Sequence, residues 1–509
     1  MSLSKRSVIN IVSGGLGYLI PILLNIISIP IILNKLGNEA YGLLNLVNLI
    51  IGYLIISDMG LDIPITKYVA EYNAGNNRDK LKSLLNSALQ IYIRIGLGGM
   101  ILVAAFSGIL SRNVFKIPDS HLQEARLIFI LAGVGFLFSI LNLFAKAVFN
   151  GLQKYEVSNG LNVLQNLLSI LFGIILVLSG GGIVWFVFIR VIFYLLSFCA
   201  YVFLIKKEVP EFSLLSGVNS HVWSLLKGQF GYGFILRVGS LFFSRIDQTL
   251  IGIWLGVSEV GIYSIPLLIA SSISALIGSV THYVFPKTTE LLTTGKKDEF
   301  NVFFQRNMKF VSVMAICSFI PVIIFSHEIL RLWVGNDVSA KATVTLIALS
   351  GAYFVNAVTT IVVTGCFVGI GKLNRFTIYV IARGVVMGVA CLLLIKNYGI
   401  LGAGLAMLST CIIDIAYFIV VTKRFLGMSP FPVAFETILK PLLCASVAAL
   451  PFYYFTNQLH LTWLSLISLS VLYVMVLAIL MLVTGVVSKS EREFLLGLVQ
   501  KVFHKYQRA

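Results

Sequence analysis

Leu36-Gly37-Asn38-Glu39-Ala40-Tyr41-Gly42 separates two long apolar runs, and part of its frame returns 219 positions later as Leu255, Gly256 and Gly261. Glu71 and Asp79 recur at the same offset as Glu290 and Asp298. Further on, Phe149, Gly151 and Lys154 return as Phe367, Gly369 and Lys372 at offset 218, and Gly182-Ile183 as Gly399-Ile400 at offset 217. A nearly constant offset across separated anchors marks an internal duplication. Each copy holds six apolar runs long enough to cross a hydrocarbon core as helices, so both enter the membrane in the same sense. Parallel copies of this kind are related by an axis along the membrane normal.

Composition agrees with the pattern. Hydrophobic residues make up 58% of the 509-residue chain and charged residues 12%, against roughly 45–50% and about 25% in soluble domains. Spans are expected near 9–33, 42–66, 83–110, 127–149, 158–179, 183–205, 229–254, 260–285, 310–332, 343–370, 376–395, 401–422, 439–456 and 463–484. The fold class is therefore an all-α polytopic membrane protein of about fourteen helices. Two pseudo-symmetric six-helix lobes, 1–208 and 209–425, are followed by two further helices within 426–485 and a tail over 486–509.

The formal charge of +17 does not indicate nucleic acid, because the basic residues form no patch with interleaved aromatics. Of 38 Lys and Arg residues, 25 fall in connections on the side of the termini and seven on the opposite side. That bias places both termini in the cytoplasm. The first apolar run is too long for a cleavable signal and lacks a clear cleavage site. The six cysteines all lie in apolar runs, with no spacing for a metal. Neither Gly371-Lys372-Leu373 nor Gly295-Lys296-Lys297 completes a phosphate-binding loop, so no ATP-driven step and no cofactor is expected. Two related bundles that rock about a midplane cavity favour transport.

Six cations fall inside the spans: Arg94, Lys146, Arg190, Arg237, Arg245 and Arg383. Facing lipid, six such groups would cost about 15–21 kcal/mol, at about 2.5–3.5 kcal/mol each. Most must face water, protein or an anion. Helical spacing sets polar partners beside them. Asn86, Gln90 and Arg94 share one face, as do Asn142 and Lys146. Asn159, Asn162, Asn166, Ser169 and Gly173 form a third stripe, and Arg237, Ser240, Ser244 and Asp247 a fourth. These stripes suit a hydrated, net-positive chamber for a phosphate or diphosphate; helix–helix adhesion is the alternative. Asp58, Asp62 and Asp247 are candidates to carry a coupling proton or sodium ion. The alternative is that Asp58 and Asp62 bond loop backbone or a Lys such as Lys67, and that Asp247 neutralises Arg237 or a cation on a neighbouring helix. Gly14, Gly15, Gly17, Pro21 and Pro30 on the first span fit either a bending gate or a tightly packed helix.

The residues 36–42 quoted above, with Ser57-Asp58-Met59-Gly60-Leu61 and Lys67-Tyr68-Val69-Ala70-Glu71, resemble the polysaccharide transporter family. This is the Wzx-type branch of the MOP superfamily, which also holds MATE exporters and lipid II flippases. The resemblance implies a V-shaped pair of lobes with alternating access in a bacterial cytoplasmic membrane. It implies as substrate an oligosaccharide repeat unit on undecaprenyl diphosphate, moved to the periplasmic leaflet. Membrane lipids, and other proteins of polysaccharide assembly, are the implied partners. A MATE-like drug or cation exporter would want an acidic chamber. A membrane-embedded polymerase or acyltransferase would want convergent acid, base or nucleophilic groups; the six histidines are scattered and His282 stands alone within a span. A non-enzymatic role is expected.

Overall fold

The computed structural model describes residues 5–214, 217–227, 245–281, 283–370, 373–456 and 461–487. Among the described residues the secondary structure is helical, with no strand. The first helix, α1 (Lys5–Leu54), stays helical through Pro21 and Pro30 and breaks at Gly37 (φ 81°, ψ 175°). Those angles are essentially closed to a residue with a Cβ, so Gly37 supplies the break between the two apolar runs. After a 3-10 turn over Ile55–Asp58 come α2 (Asp62–Ala74), α3 (Arg78–Ile109), α4 (Leu122–Gly151), α5 (Tyr155–Leu178) and α6 (Ile183–Glu208). A short α7 (Ser220–Lys227) and a helix α8 over 245–254 lead into α9 (Val257–Val280). Then follow α10 (Val284–Thr293), α11 (Lys297–Ile324), α12 (Ser326–Val334), α13 (Asn336–Gly369), α14 (Leu373–Ser409) and α15 (Cys411–Arg424). The last helices are α16 (Pro430–Ala434), α17 (Lys440–Thr456) and α18 (Trp463–Val483).

Eleven helices among the described residues are long and apolar enough to cross a membrane. Two of these stretches, Ile20–Asp58 and Arg375–Arg424, contain the non-helical residues Gly37 and Gly399 and each correspond to two of the expected spans. Residues 229–244 of the span expected over 229–254 lie outside the described residues. The architecture is thus compatible with about fourteen spans. Its solvent is legible from its surface: Leu464 on α18 is 80% exposed and Ile412 on α15 is 70% exposed. Contiguous exposed aliphatic faces of this kind need lipid against them.

The helices gather into two compact units, one of Met1–Leu268 with Val380–Ala406, the other of Ile269–Tyr379 with Met407–Ala509. In the first, α4 is central. It packs on α1, α2, α3 and α6 and buries Phe129, Phe136, Phe144 and Phe149 completely. In the second, α13 has that place against α10, α11, α12 and α15, and α17 and α18 pack on each other and on α11, with Phe452 edge-on to Tyr473.

The duplication is visible as repeated contacts inside each unit. A Cβ on Gly151 would sit 2.7 Å from the Thr66 carbonyl oxygen and from Val69 Cβ, both on α2. A Cβ on Gly369 would sit 2.9 Å from Thr288 Cγ2 and 3.2 Å from the Phe285 oxygen on α10. Thr66 and Val69 stand 219 positions before Phe285 and Thr288. The same steric solution therefore closes α4 on α2 and α13 on α10. The turns entering α3 and α11 match too, with Asn76 (φ 50°) and Gly295 (φ 71°) both left-handed.

Candidate functional site

The polar residues of the first unit fall into two groups with different partners. On α4, α5 and α6 they meet one another. Lys146 Nζ donates to Asn162 Oδ1 at 2.6 Å, and Asn142 Nδ2 donates to the Tyr194 carbonyl at 2.9 Å. One turn away on α6, Arg190 donates to the Tyr194 hydroxyl at 3.3 Å, its guanidinium 5.8 Å from the ring centre. Asn166 continues the α5 stripe by donating to the Asn162 carbonyl, and Ser169 by donating to that of Asn166. Asn159 is half-buried on the same helix. Lys146 and Arg190 are likewise half-buried, and neither has a carboxylate partner among the described residues. Tyr194, which joins two of the three helices, is absent from the sequence reading. Its i, i+4 spacing from Arg190 was the available signal.

The second group lies on α3 and binds a connection. Asn86 Oδ1 accepts from the Ser213 amide at 3.0 Å, and Gln90 Nε2 donates to the Leu214 carbonyl at 2.6 Å. Ser87 Oγ accepts from the Asn219 amide, and Ser83 Oγ from the Asn219 side chain. Asn86 and Gln90, expected to line a chamber, hold the segment between α6 and α7, and Asn86 also borders a cavity of about 400 Å³ with Ser83, Ser87 and Asn219. Alanine at both positions is expected to loosen that segment and speed its cleavage in limited proteolysis of the detergent-solubilised protein. Unchanged cleavage would show that Ser83 and Ser87 suffice. One turn beyond Gln90, exposed Arg94 borders a cavity of about 450 Å³ with Met59, Leu61 and Trp223. Arg94 has no carboxylate partner among the described residues.

Arg237, Ser240, Ser244 and His282 lie outside the described residues. Of the remaining span-seven residues, Arg245 is packed on α1, where a Cβ at Gly52 would come within 3.2 Å of its Nε. Asp247 is buried and accepts from the Tyr263 hydroxyl at 2.6 Å and the Gln248 amide at 2.8 Å. Asp58 is fully buried at the end of its 3-10 turn, and Asp62 is half-buried in the first turn of α2. Arg383 is half-buried on α14.

The second unit contains a buried acid to which the sequence reading gave no role. Asp414 on α15 accepts from Asn356 Nδ2 on α13 at 2.9 Å and from the Tyr379 hydroxyl on α14 at 2.7 Å. Tyr379 stacks on Tyr417 with ring centres 4.2 Å apart. No group of three or more His, Cys, Asp or Glu side chains that would hold a metal occurs among the described residues.

Residues 7–292 match the family described as "Polysaccharide biosynthesis protein". A curated relative, the "Putative O-antigen transporter" of Shigella flexneri, is 23% identical over 428 residues, covering 81% of this chain and 96% of that one. Among solved structures, the inward closed conformation of the lipid II flippase MurJ superposes with a TM-score of 0.75 at 14% identity, over 93% of this chain and 99% of its own. An inward-facing MATE-family multidrug resistance transporter of the MOP superfamily gives 0.67 at 13% identity, over 82% and 98%. The shared fold is that of a multi-pass membrane protein.

Proposed function

The chain belongs to the polysaccharide biosynthesis protein family, and from that premise we propose that it is a flippase for an oligosaccharide linked to undecaprenyl diphosphate. In this reading the headgroup passes from the cytoplasmic to the periplasmic leaflet of the inner membrane, both termini being cytoplasmic. Two lobes, 1–208 and 209–425, alternate access to a cationic cavity, with 426–485 adding two helices outside the repeat. The observation that carries the reading is the joined cluster Lys146–Asn162 and Arg190–Tyr194 on three neighbouring helices, its cations not neutralised by acids. A diphosphate offers such cations charge-assisted hydrogen bonds, which are about twice as strong as neutral ones. A cationic drug would meet repulsion there, which disfavours an exporter of the MATE type despite the common fold. The O-antigen transporter named above supports the substrate class, and MurJ supports the lipid carrier. Arg237, Arg245 and Arg383 remain cavity candidates by charge and depth, and Asp58, Asp62 and Asp247 coupling candidates for a proton or sodium ion.

The test is leaflet sidedness of the lipid-linked repeat unit in cells with and without the gene, read with a probe that cannot cross the membrane. Accumulation on the cytoplasmic leaflet in the deletion, relieved by the intact gene, is expected. Accumulation on the periplasmic leaflet would instead assign the chain to a later step such as polymerisation.

A further inference from the structure

The duplication exposes a difference between the two units at matching corners. In the first unit, α6 ends in Lys206-Lys207-Glu208, and Glu208 closes the corner between α6 and the start of α3. Its carbonyl accepts from Arg78 Nη1 at 3.0 Å, and its carboxylate pairs with Lys154 at 2.5 Å. In the second unit, α15 ends in Lys423-Arg424, and Phe425 follows it. The basic pair returns at offset 217, Arg78 returns as Lys297, and the acid is replaced by Phe425. That ring turns inward instead, edge-on to Phe367 with centres 4.9 Å apart.

The result is an open cleft of about 450 Å³, bordered by Lys297, Arg424 and Phe425, floored by Phe300, and rimmed by the left-handed turns at Gly295 and Gly427. Among the described residues, Lys297 and Arg424 are the charged residues lining it, both are exposed, and neither has an ion pair; Lys372, the counterpart of Lys154, lies outside the described residues. The matching corner of the first unit has the same basic character, but there the Glu208 carboxylate pairs with Lys154 and its carbonyl holds Arg78. Four residues beyond Gly427, Phe431 is 72% exposed and stacks on Phe435 at the start of the next membrane helix. A basic cleft beside exposed aromatics, at the mouth of a span, has the composition of a headgroup site at a membrane surface.

We propose that this cleft binds the phosphate of an anionic phospholipid of the cytoplasmic leaflet, with Lys297 and Arg424 on the phosphate oxygens and Phe431 against the acyl chains. The placement rests on the orientation proposed above, but not on the transported substrate. Phosphate oxyanions also come free in solution, so the experiment separates the two sources.

Purified full-length protein in detergent is offered phosphatidylglycerol or phosphatidylcholine and examined by native mass spectrometry, with inorganic phosphate as competitor. The intact protein is expected to retain phosphatidylglycerol over phosphatidylcholine, and to keep it in millimolar phosphate. The double variant Lys297→Gln/Arg424→Gln is expected to lose about tenfold or more of that retention. Lys206→Gln/Lys207→Gln, with the same charge change at the corner that carries Glu208, is expected to lose little. Phe425→Glu, which restores the acid, is expected to empty the cleft; the paired Gln variants carry the test if that protein misfolds. Equal loss in both double variants would overturn the site as a specific one, and displacement by inorganic phosphate would overturn the lipid as its ligand. Transport of the oligosaccharide is not read in this assay, so its outcome is independent of the substrate assignment.

Discussion

Lys146→Glu is expected to abolish oligosaccharide translocation while the protein still inserts in the membrane at normal levels. The ammonium donates to Asn162 Oδ1 from a half-buried position between α4 and α5. Reversing its charge places a carboxylate where a diphosphate is to bind, and leaves Asn162 Oδ1 facing an acceptor. Loss of one charge-assisted hydrogen bond alone is worth about 1.5–3 kcal/mol, or about 10–150-fold in affinity. Lys146→Gln is therefore expected to fall by that factor, and Lys146→Arg to retain part of the activity, because it keeps the charge but not the geometry. The readout is complementation of surface polysaccharide in a deletion strain, normalised to membrane protein level. Full activity in a correctly inserted Lys146→Glu protein would remove this residue from the headgroup site.

Gly42→Ala is expected to have the largest effect on folding. The two repeat-related glycines of the opening motif meet backbone to backbone in the first unit. A Cβ on Gly42 would lie 2.0 Å from the Val257 carbonyl oxygen at the start of α9, and a Cβ on Gly261 2.5 Å from the Asn38 oxygen of α1. Both obstacles are main chain, which a rotamer change cannot relieve. Overpacking of this kind typically costs about 1–3 kcal/mol and occasionally more. Both Gly42→Ala and Gly261→Ala are expected to lower the thermal unfolding midpoint in detergent by several degrees. Alanine at Gly98, where no atom lies within 4 Å of the added Cβ, is expected to change it little. Equal midpoints for all three would show that α1 and α9 separate there without penalty.

The parts of this molecule legible in the sequence were those set by local rules. Apolar length gave the spans, because hydrocarbon thickness fixes how many residues a helix needs. The glycine anchors gave the duplication, and the structure explains why they are glycines: Gly42, Gly261, Gly151 and Gly369 each stand against another helix at a distance no Cβ tolerates. The polar faces were legible only halfway. Spacing put Asn86, Gln90 and Arg94 on one side of α3, but the periodicity of one helix says nothing about what lies across from it. There the first two meet Ser213 and Leu214, Asn86 also bordering a cavity with Asn219, and the third lies on another cavity. Asp414 was opaque for the same reason. Its donors Asn356 and Tyr379 are 58 and 35 residues away on other helices, and only tertiary packing brings them together. Lys146 and Asn162 lie 16 residues apart on antiparallel neighbours. Both were singled out from their own stripes, but nothing in either stripe pairs the one with the other.

The most direct measurement is translocation by the purified protein in sealed proteoliposomes. A fluorescent oligosaccharide on undecaprenyl diphosphate would be present in both leaflets, and its accessibility to a membrane-impermeant quencher followed over time. A flippase with Lys146 in its headgroup site lets the quencher reach the inner-leaflet pool, and Lys146→Glu protein at equal density does not. Accessibility confined to the outer leaflet with the intact protein, whatever ion gradient is imposed, would contradict the flippase assignment.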